Sequence, residues 1–357
     1  MLALTDFDVG GLSAQLGAWQ FKPSHAGRLL KAFYDRHGEL DWSVLKLGKA
    51  LEQILRQRLR LRQAHILHQH PSPDGTLKLL MGFDGGGAAE AVLMPSHRSD
   101  RAAGCISTQI GCAMGCSFCA STRAGLQRNL SAGEMVEQFL YLRRLAAGSG
   151  RRLATLVLMG MGEPLHNLGN VIMAIRRIAA PGLGELGGRQ ITVSTVGIVP
   201  AMDELAEADL NVHLALSLHA PDDATRSRLV PMNRRYGVSA IMAAARRFQQ
   251  RTGRVVNIEY CLIEGINDHG SQAQALADLM DGFRAHVNLI PYNPTAEAAG
   301  AMRRPDAQTV RSFWQVLRDR GVAAHVRRPR GDDIHAACGQ LRGAFAGQPG
   351  PMPINSA

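Results

Sequence analysis

Apolar residues fall at helical spacing from Pro23 to about Arg62, where Leu29, Leu30, Phe33 and Tyr34 make one stripe and Leu45, Leu47, Leu51, Leu55 and Leu59 the next. This predicts a small helical N-terminal unit over residues 1–62. The pattern then changes. Ile66-Leu67, a turn at Pro71-Ser72-Pro73-Asp74-Gly75, an apolar run from Leu77 to Met81, glycines at 85–87 and a second run from Ala91 to Met94 predict a β-meander extension over residues 63–97. Beyond it, runs of strand length alternate with helical patterns. Strands are expected at Cys105–Gln109, Leu153–Met159, Gln190–Ser194, Val212–Leu218, Val255–Leu262 and Val287–Ile290, with a further one near Ala323–Val326. Helices are expected at Ser131–Ala147, Leu168–Ala179, Pro200–Ala208, Ser239–Gln250, Ser271–Gly282 and Pro305–Arg320, the first opened by the capping box Ser131-Ala132-Gly133-Glu134. Repeated βα units imply an α/β fold with a parallel sheet. Six or so of them suggest a partial or complete barrel over residues 98–346, with its chemistry at the C-terminal ends of the strands. The Gly/Pro-rich tail, 347–357, is expected to be disordered.

Composition narrows the class. Hydrophobic residues at 46% and charged residues at 20% fit a soluble globular protein. The first residues, Met1 to Asp8, lack a basic segment followed by a long apolar one, and no apolar run is long enough to span a bilayer. A cytoplasmic protein without a membrane partner is expected. The formal net charge of +10 favours a polyanionic partner, and basic clusters such as Arg56/Arg58/Arg60/Arg62, Arg143/Arg144, Arg151/Arg152, Arg234/Arg235, Arg303/Arg304 and Arg327/Arg328/Arg330 are candidates to track a phosphate backbone. Any single pair is more economically read as a solvated helix face. Aromatic residues at 5% are too few for a base-stacking platform.

Six cysteines in such a chain point to metal or redox chemistry rather than a disulfide framework. Three of them, Cys112, Cys116 and Cys119, lie at spacing C-x3-C-x2-C in Gly111-Cys112-Ala113-Met114-Gly115-Cys116-Ser117-Phe118-Cys119. A closed zinc site or ferredoxin-type cluster takes four ligands, whereas three thiolates around a four-iron cube leave one iron open to a substrate. A zinc knuckle and a chance group of buried thiols are the plainer alternatives. Further candidates follow the expected strands: Gly160-Met161-Gly162-Glu163-Pro164, Ser194-Thr195-Val196-Gly197, Ser217-Leu218-His219 and Asn293. Alone, each is an ordinary polar loop group; together they converge on one end of a parallel sheet. The last motif, Arg330-Gly331-Asp332-Asp333-Ile334-His335-Ala336-Ala337-Cys338-Gly339-Gln340-Leu341, carries a lone cysteine preceded by arginines that favour a thiolate.

The cysteine loop, Phe118-Cys119-Ala120, Arg128-Asn129-Leu130, GMGEP at 160–164, SLHAP at 217–221 and GDDIHAACGQL at 331–341 form a specific combination. On it the chain resembles the RlmN family of radical S-adenosylmethionine (SAM) enzymes, adenine carbon-2 methyltransferases of 23S rRNA and tRNA, from the N-terminal helices to about Ala346. The resemblance implies a partial (βα)6-type radical SAM barrel. It implies that Cys112, Cys116 and Cys119 hold a [4Fe-4S] cluster with one open iron, and that Gly162, Glu163, Ser194, Ser217, Leu218, His219 and Asn293 line the SAM site. It makes Cys338 the methyl-carrying cysteine, Cys105 its resolving partner and Glu90 the proton acceptor, with Cys261 left structural. Two SAM per turnover, a protein–RNA adduct, an external electron donor such as flavodoxin and a monomer belong to the same expectation. Three alternatives stand beside it: a Cfr-type carbon-8 methyltransferase of the same rRNA adenine, which shares nearly all these residues; a non-catalytic iron–sulfur or zinc RNA-binding protein, which needs a fourth ligand; and a radical SAM enzyme for a small molecule, disfavoured by the charge and by the Cys105/Cys338 pair.

Overall fold

The structure, a computed structural model, describes residues 2–295 and 302–341. The expected tail and residues 342–346 lie outside the described residues. Helix α1 (Val9–Ala18) precedes the first apolar stripe read from the sequence; Asp8 caps it, accepting from Gly11 N at 2.7 Å. Its Gly10, Gly11 and Gly17 dilute the apolar period, which explains why no stripe announced it. Helices α2 (His25–Asp35), α3 (Trp42–Leu45) and α4 (Lys49–Arg58) follow, and Leu12, Leu16, Leu29, Leu30, Phe33, Leu51 and Leu55 bury together. The pairing of β1 (Leu2–Ala3) with β2 (Leu59–Arg60) closes the unit.

The meander forms as β3 (Ala64–Pro71), β4 (Leu77–Phe83) and β5 (Ala88–Pro95), antiparallel to one another. Strand β5 also pairs antiparallel with β6 (Arg101–Cys105). The division expected near residue 97 therefore falls inside one continuous sheet. The strand expected at 105–109 ends at Cys105: after it the Ser107 amide turns to Gln138 Oε1 (2.8 Å) and the Thr108 amide to Met161 O (2.9 Å), so the backbone leaves the ladder. It re-emerges as β7 (Gln109–Gly111), which pairs with β8 (Leu126–Asn129) as a separate ribbon.

The remaining strands are β9 (Arg152–Leu158), β10 (Ile191–Thr195), β11 (His213–Ser217), β12 (Val256–Leu262), β13 (Ala285–Pro291) and β14 (Ala324–Val326). Helices α5 (Ala132–Gly148), α6 (Leu168–Ala179), α7 (Val199–Glu207), α8 (Asp223–Leu229), α9 (Val238–Thr252), α10 (Gly270–Leu279) and α11 (Ala307–Asp319) lie between them. The expected capping box opens α5, with Ser131 Oγ accepting from Glu134 N and the Glu134 carboxylate from Ser131 N. The sheet runs β14-β13-β12-β11-β10-β9-β6-β5-β4-β3, parallel from β14 to β6 and antiparallel beyond. It is open, with β14 and β3 as edges. Period-two alternation gives it two unlike faces. Val193, Leu214, Leu216, Ile258, Tyr260, Val287 and Leu289 are fully buried in the same core as helix residues such as Met202, Ile241, Phe248, Leu276 and Phe313. The opposite face is polar. Register puts Ser194 beside Ala215, Ser217 beside Glu259, Glu259 beside Asn288, Cys105 beside Val157 and Val92, and Lys78 beside Val92. Lys78, Glu90, Cys105, Ser194, Ser217, Glu259 and Asn288 thus share one face.

Candidate active site

The cysteine loop leaves β7 and is held by its own backbone. Cys112 N donates to Gly125 O at 3.1 Å and Cys119 N to Cys116 O at 3.2 Å, while Thr122 Oγ1 donates to the carbonyls of Cys116 and Cys119. Gly111 takes φ 75°, and a Cβ there would stand 1.9 Å from Gly125 O, so only glycine lets the loop start. Burial raises the thiols of Cys112 (to about 12), Cys116 and Cys119, and for Cys112 and Cys116 each neighbouring thiol adds to the rise. Two buried sulfurs and the half-buried Cys119, beside Met114, Val196, Leu229, Val230 and Phe118, form a donor set that becomes stable as thiolates only with cationic charge among them. That chemistry fits an iron–sulfur cluster. Among the described residues no three His, Cys, Asp or Glu side chains converge on one metal-ion position; a cube takes one thiolate per iron and asks for a wider opening.

Glu163 lies beside this loop. Its Oε1 accepts from Leu165 N (3.0 Å) and its Oε2 from Val196 N (2.9 Å), while its own amide donates to Gln109 Oε1 (2.8 Å). Burial pushes its carboxyl up to about 7, the backbone donors opposing. Gly162 has φ 99°, and a Cβ there would strike Gln109 at 2.5 Å. Ser194 Oγ donates to Leu158 O at 2.9 Å and Ser217 ends β11. Leu218 differs from its neighbours: its side chain is fully buried, its amide donates to Glu259 O and its carbonyl accepts from Arg226 Nε. His219 is left-handed (φ 60°), accepts from Cys261 N at Nδ1 (3.0 Å) and meets the Phe118 ring edge-on at 4.7 Å. Burial drops it to about 3, so it is neutral with its proton on Nε2.

The Cys338 loop docks on the cysteine loop. Ala120 N donates to Gly339 O at 2.8 Å, Ser121 Oγ to Leu341 O at 2.5 Å, and Asn293 Nδ2 to Cys338 O at 3.2 Å. Cys338 is open to solvent, yet the protein around it is dense enough that burial raises its thiol, and Glu259 adds to the rise. Burial, with Cys338 close enough to contribute, pushes Cys105 up to about 12. Both are free thiols. Glu90, 1% exposed, is ion-paired with Lys78 at 3.1 Å. Cys261 sits in the apolar cluster with Cys112 and Cys116.

Four residues that hold this arrangement were not singled out from the sequence. Arg226, fully buried in α8, donates to Leu218 O, Val196 O, Ser217 O and Asn233 Oδ1, and so ties the ends of β10 and β11 together. Burial lowers it only to about 10, so it stays charged. Asn267 clamps His219 O, Cys261 O and Ile263 N. Glu259 faces Cys338, and Lys78 faces Glu90. Replacing Arg226 with Met removes four hydrogen bonds from the ends of β10 and β11 and is expected to cost about 3 kcal/mol or more, measured by chemical denaturation of the chain.

The Radical SAM superfamily model matches residues 106–274. The probable dual-specificity RNA methyltransferase RlmN 1 of Opitutus terrae is 51% identical over 346 residues, spanning 95% of this chain and 96% of that protein. The dual-specificity RNA methyltransferase RlmN 1 of Myxococcus xanthus is 43% identical over 341 residues, spanning 95% and 94%. A crystal structure of a radical SAM methyltransferase from Sphaerobacter thermophilus superposes with a TM-score of 0.91 at 43% identity, covering 96% of this chain and all of that one. Among the described residues no helix is long and apolar enough to cross a membrane. With the three-cysteine loop, the open α/β sheet and relatives matching almost end to end, the chain belongs to the RlmN family of radical SAM methyltransferases, whose membership implies a [4Fe-4S] cluster and SAM.

Proposed function

We propose that the protein methylates carbon-2 of adenine in 23S rRNA, at the peptidyl transferase centre, and in tRNA next to the anticodon. The observation that carries this reading is that Cys105 and Glu90 share one polar face of the sheet, with Cys338 close enough to raise the Cys105 thiol and the Cys338 loop bonded to the cysteine loop. Adenine carbon-2 is electron-poor and does not attack a methyl group as a nucleophile; bound cluster and SAM supply radical chemistry that no side chain provides. Cys112, Cys116 and Cys119 would hold the cluster. Gly162, Glu163, Ser194, Ser217, Leu218, His219 and Asn293 would line the SAM site, Leu218 through its backbone alone.

Cys338 first takes a methyl group by displacement, its sulfur forming the new bond as the methyl–sulfonium bond of SAM breaks. Bound cluster and a second SAM would supply the radical that removes one hydrogen atom from that methyl group, after which its carbon joins carbon-2 and links protein to RNA. Glu90 takes the carbon-2 proton. Cys105, as thiolate, then attacks the Cys338 sulfur; the sulfur–carbon bond breaks, the odd electron would return to the bound cluster, the departing carbon takes a proton to become the methyl group, and a disulfide remains for an external two-electron reductant to reset. An electron donor such as flavodoxin completes the balance.

The net charge supplies the grip on RNA. Arg60 and Arg62, read from the sequence as phosphate contacts, are engaged within the protein: Arg60 pairs with Asp84 at 2.8 Å, and Arg62 donates to Gly38 O and lies over the Tyr141 ring. Arg327, exposed and near Cys338, and its exposed chain neighbour Arg328 are the better footprint. The test is nucleoside mass spectrometry, after chromatographic separation of isomers, on unmodified 23S rRNA and tRNA treated with the reconstituted protein. 2-Methyladenosine is expected. 8-Methyladenosine would move the assignment to Cfr-type chemistry, and unchanged adenosine would end the RNA reading.

A further inference from the structure

Lys78 lies on β4, on the polar face of the sheet, and is 6% exposed. Such a lysine is rarely buried without charged partners. Its Nζ is 3.1 Å from Glu90 Oε1 and donates to His335 O at 3.1 Å, three residues before Cys338. One ammonium thus touches the candidate base and the loop that bears the candidate methyl carrier. Antiparallel register fixes the geometry: Lys78 lies opposite Val92, which also lies opposite Cys105, and Glu90 is one same-face step from Val92. The Glu90 carbonyl is anchored too, accepting from Ser107 Oγ at 2.6 Å, and Ser107 Oγ in turn accepts from Met161 N at 2.8 Å beside Gly162. Around the loop, Ser72 Oγ donates to Asp333 at 2.7 Å, Gly331 N to Asp74 at 3.0 Å and Gln340 Nε2 to Asp332 at 2.8 Å. The β3–β4 turn is therefore bonded directly to the Cys338 loop.

We propose that Lys78 is a positioning residue for carbon-2 proton removal: its ammonium aims Glu90 and fixes the distance between that carboxylate and the Cys338 arm. This rests on the assignment of Glu90 as the base. Proton transfer needs hydrogen-bond reach between base and C–H, and a misplacement of about 1 Å costs on the order of 100-fold in rate. A single ammonium bridging both parts keeps them in register while the adduct exists. Cys338 methylation makes no use of Glu90, so that earlier step does not depend on Lys78.

The experiment compares Lys78→Gln, Lys78→Arg and Glu90→Ala in reconstituted protein given RNA substrate with ordinary adenine or adenine deuterated at carbon-2. Lys78→Gln is expected to methylate Cys338 at the wild-type rate, to accumulate RNA-linked protein, and to show a deuterium isotope effect on adduct release larger than the wild type's, with product formation down about tenfold or more. Lys78→Arg, which keeps charge and donors, is expected to recover part of the release rate. Wild-type release and isotope effect in Lys78→Gln, alongside adduct accumulation in Glu90→Ala, overturns the role of Lys78 and leaves Glu90 standing. Release by Glu90→Ala as fast as wild type overturns the Glu90 assignment itself. Equal loss of Cys338 methylation and adduct release in Lys78→Gln makes the lysine merely structural and also overturns the proposal.

Discussion

Cys105→Ala protein purified from cells is expected to carry covalently attached RNA, whereas Cys338→Ala protein is expected to carry none and to form no methyladenosine. The asymmetry follows from the order in which the two sulfurs act. In the proposed scheme Cys338 would hold the methyl group before anything joins the adenine, and Cys105 would be needed only to displace the finished adduct. The placement supports a division of labour: Cys338 is solvent-accessible on a loop bonded to the cysteine loop, while Cys105 lies buried at the end of β6, close enough to sense the Cys338 charge. Cys261 also lies close enough to Cys338 to feel its charge and packs in the apolar cluster with Cys112 and Cys116. Ribonuclease-sensitive extra mass on Cys105→Ala is the readout. RNA-free Cys105→Ala with wild-type turnover would make Cys105 a core thiol and end the two-cysteine scheme.

The second large effect concerns the cysteine loop. Anaerobically reconstituted protein is expected to bind about four irons per chain, and replacing Cys112, Cys116 or Cys119 with Ala is expected to abolish both the cluster and SAM cleavage. The loss should be all-or-none, because each thiol of the loop would hold one iron of the cube. Zinc in place of iron after anaerobic reconstitution, with no SAM cleavage, would return the site to a structural knuckle.

The cysteine loop was legible in the sequence because its ligands sit within nine residues, and the strands were legible because buried parallel strands read as apolar runs. The end of the first parallel strand was misjudged for a physical reason: Ile106 and Ile110 continue the apolar pattern after the backbone has left the ladder to bond with Gln138 and Met161. The first helix was hidden by its glycines. Arg226 was invisible because its helix spans only Asp223–Leu229 and its value lies in carbonyls brought together from β10 and β11. Glu259 had a readable signal, a carboxylate at a polar alternate position in Val256-Asn257-Ile258-Glu259-Tyr260. Lys78 had none; its partners, Glu90 and His335, are assembled by strand register and by a loop more than 250 residues away, at a separation of 257.

The most direct measurement follows the methyl carbon. Protein carrying an isotopically labelled methyl group on Cys338, freed of small molecules, is given unlabelled SAM, reductant and RNA for a single turnover, and the product nucleoside is weighed. The result expected is methyladenosine that bears the label in this first turnover, because the carbon passes through Cys338. Unlabelled methyladenosine from that turnover would mean that the methyl group reaches the base without Cys338, and would contradict the reading of this site.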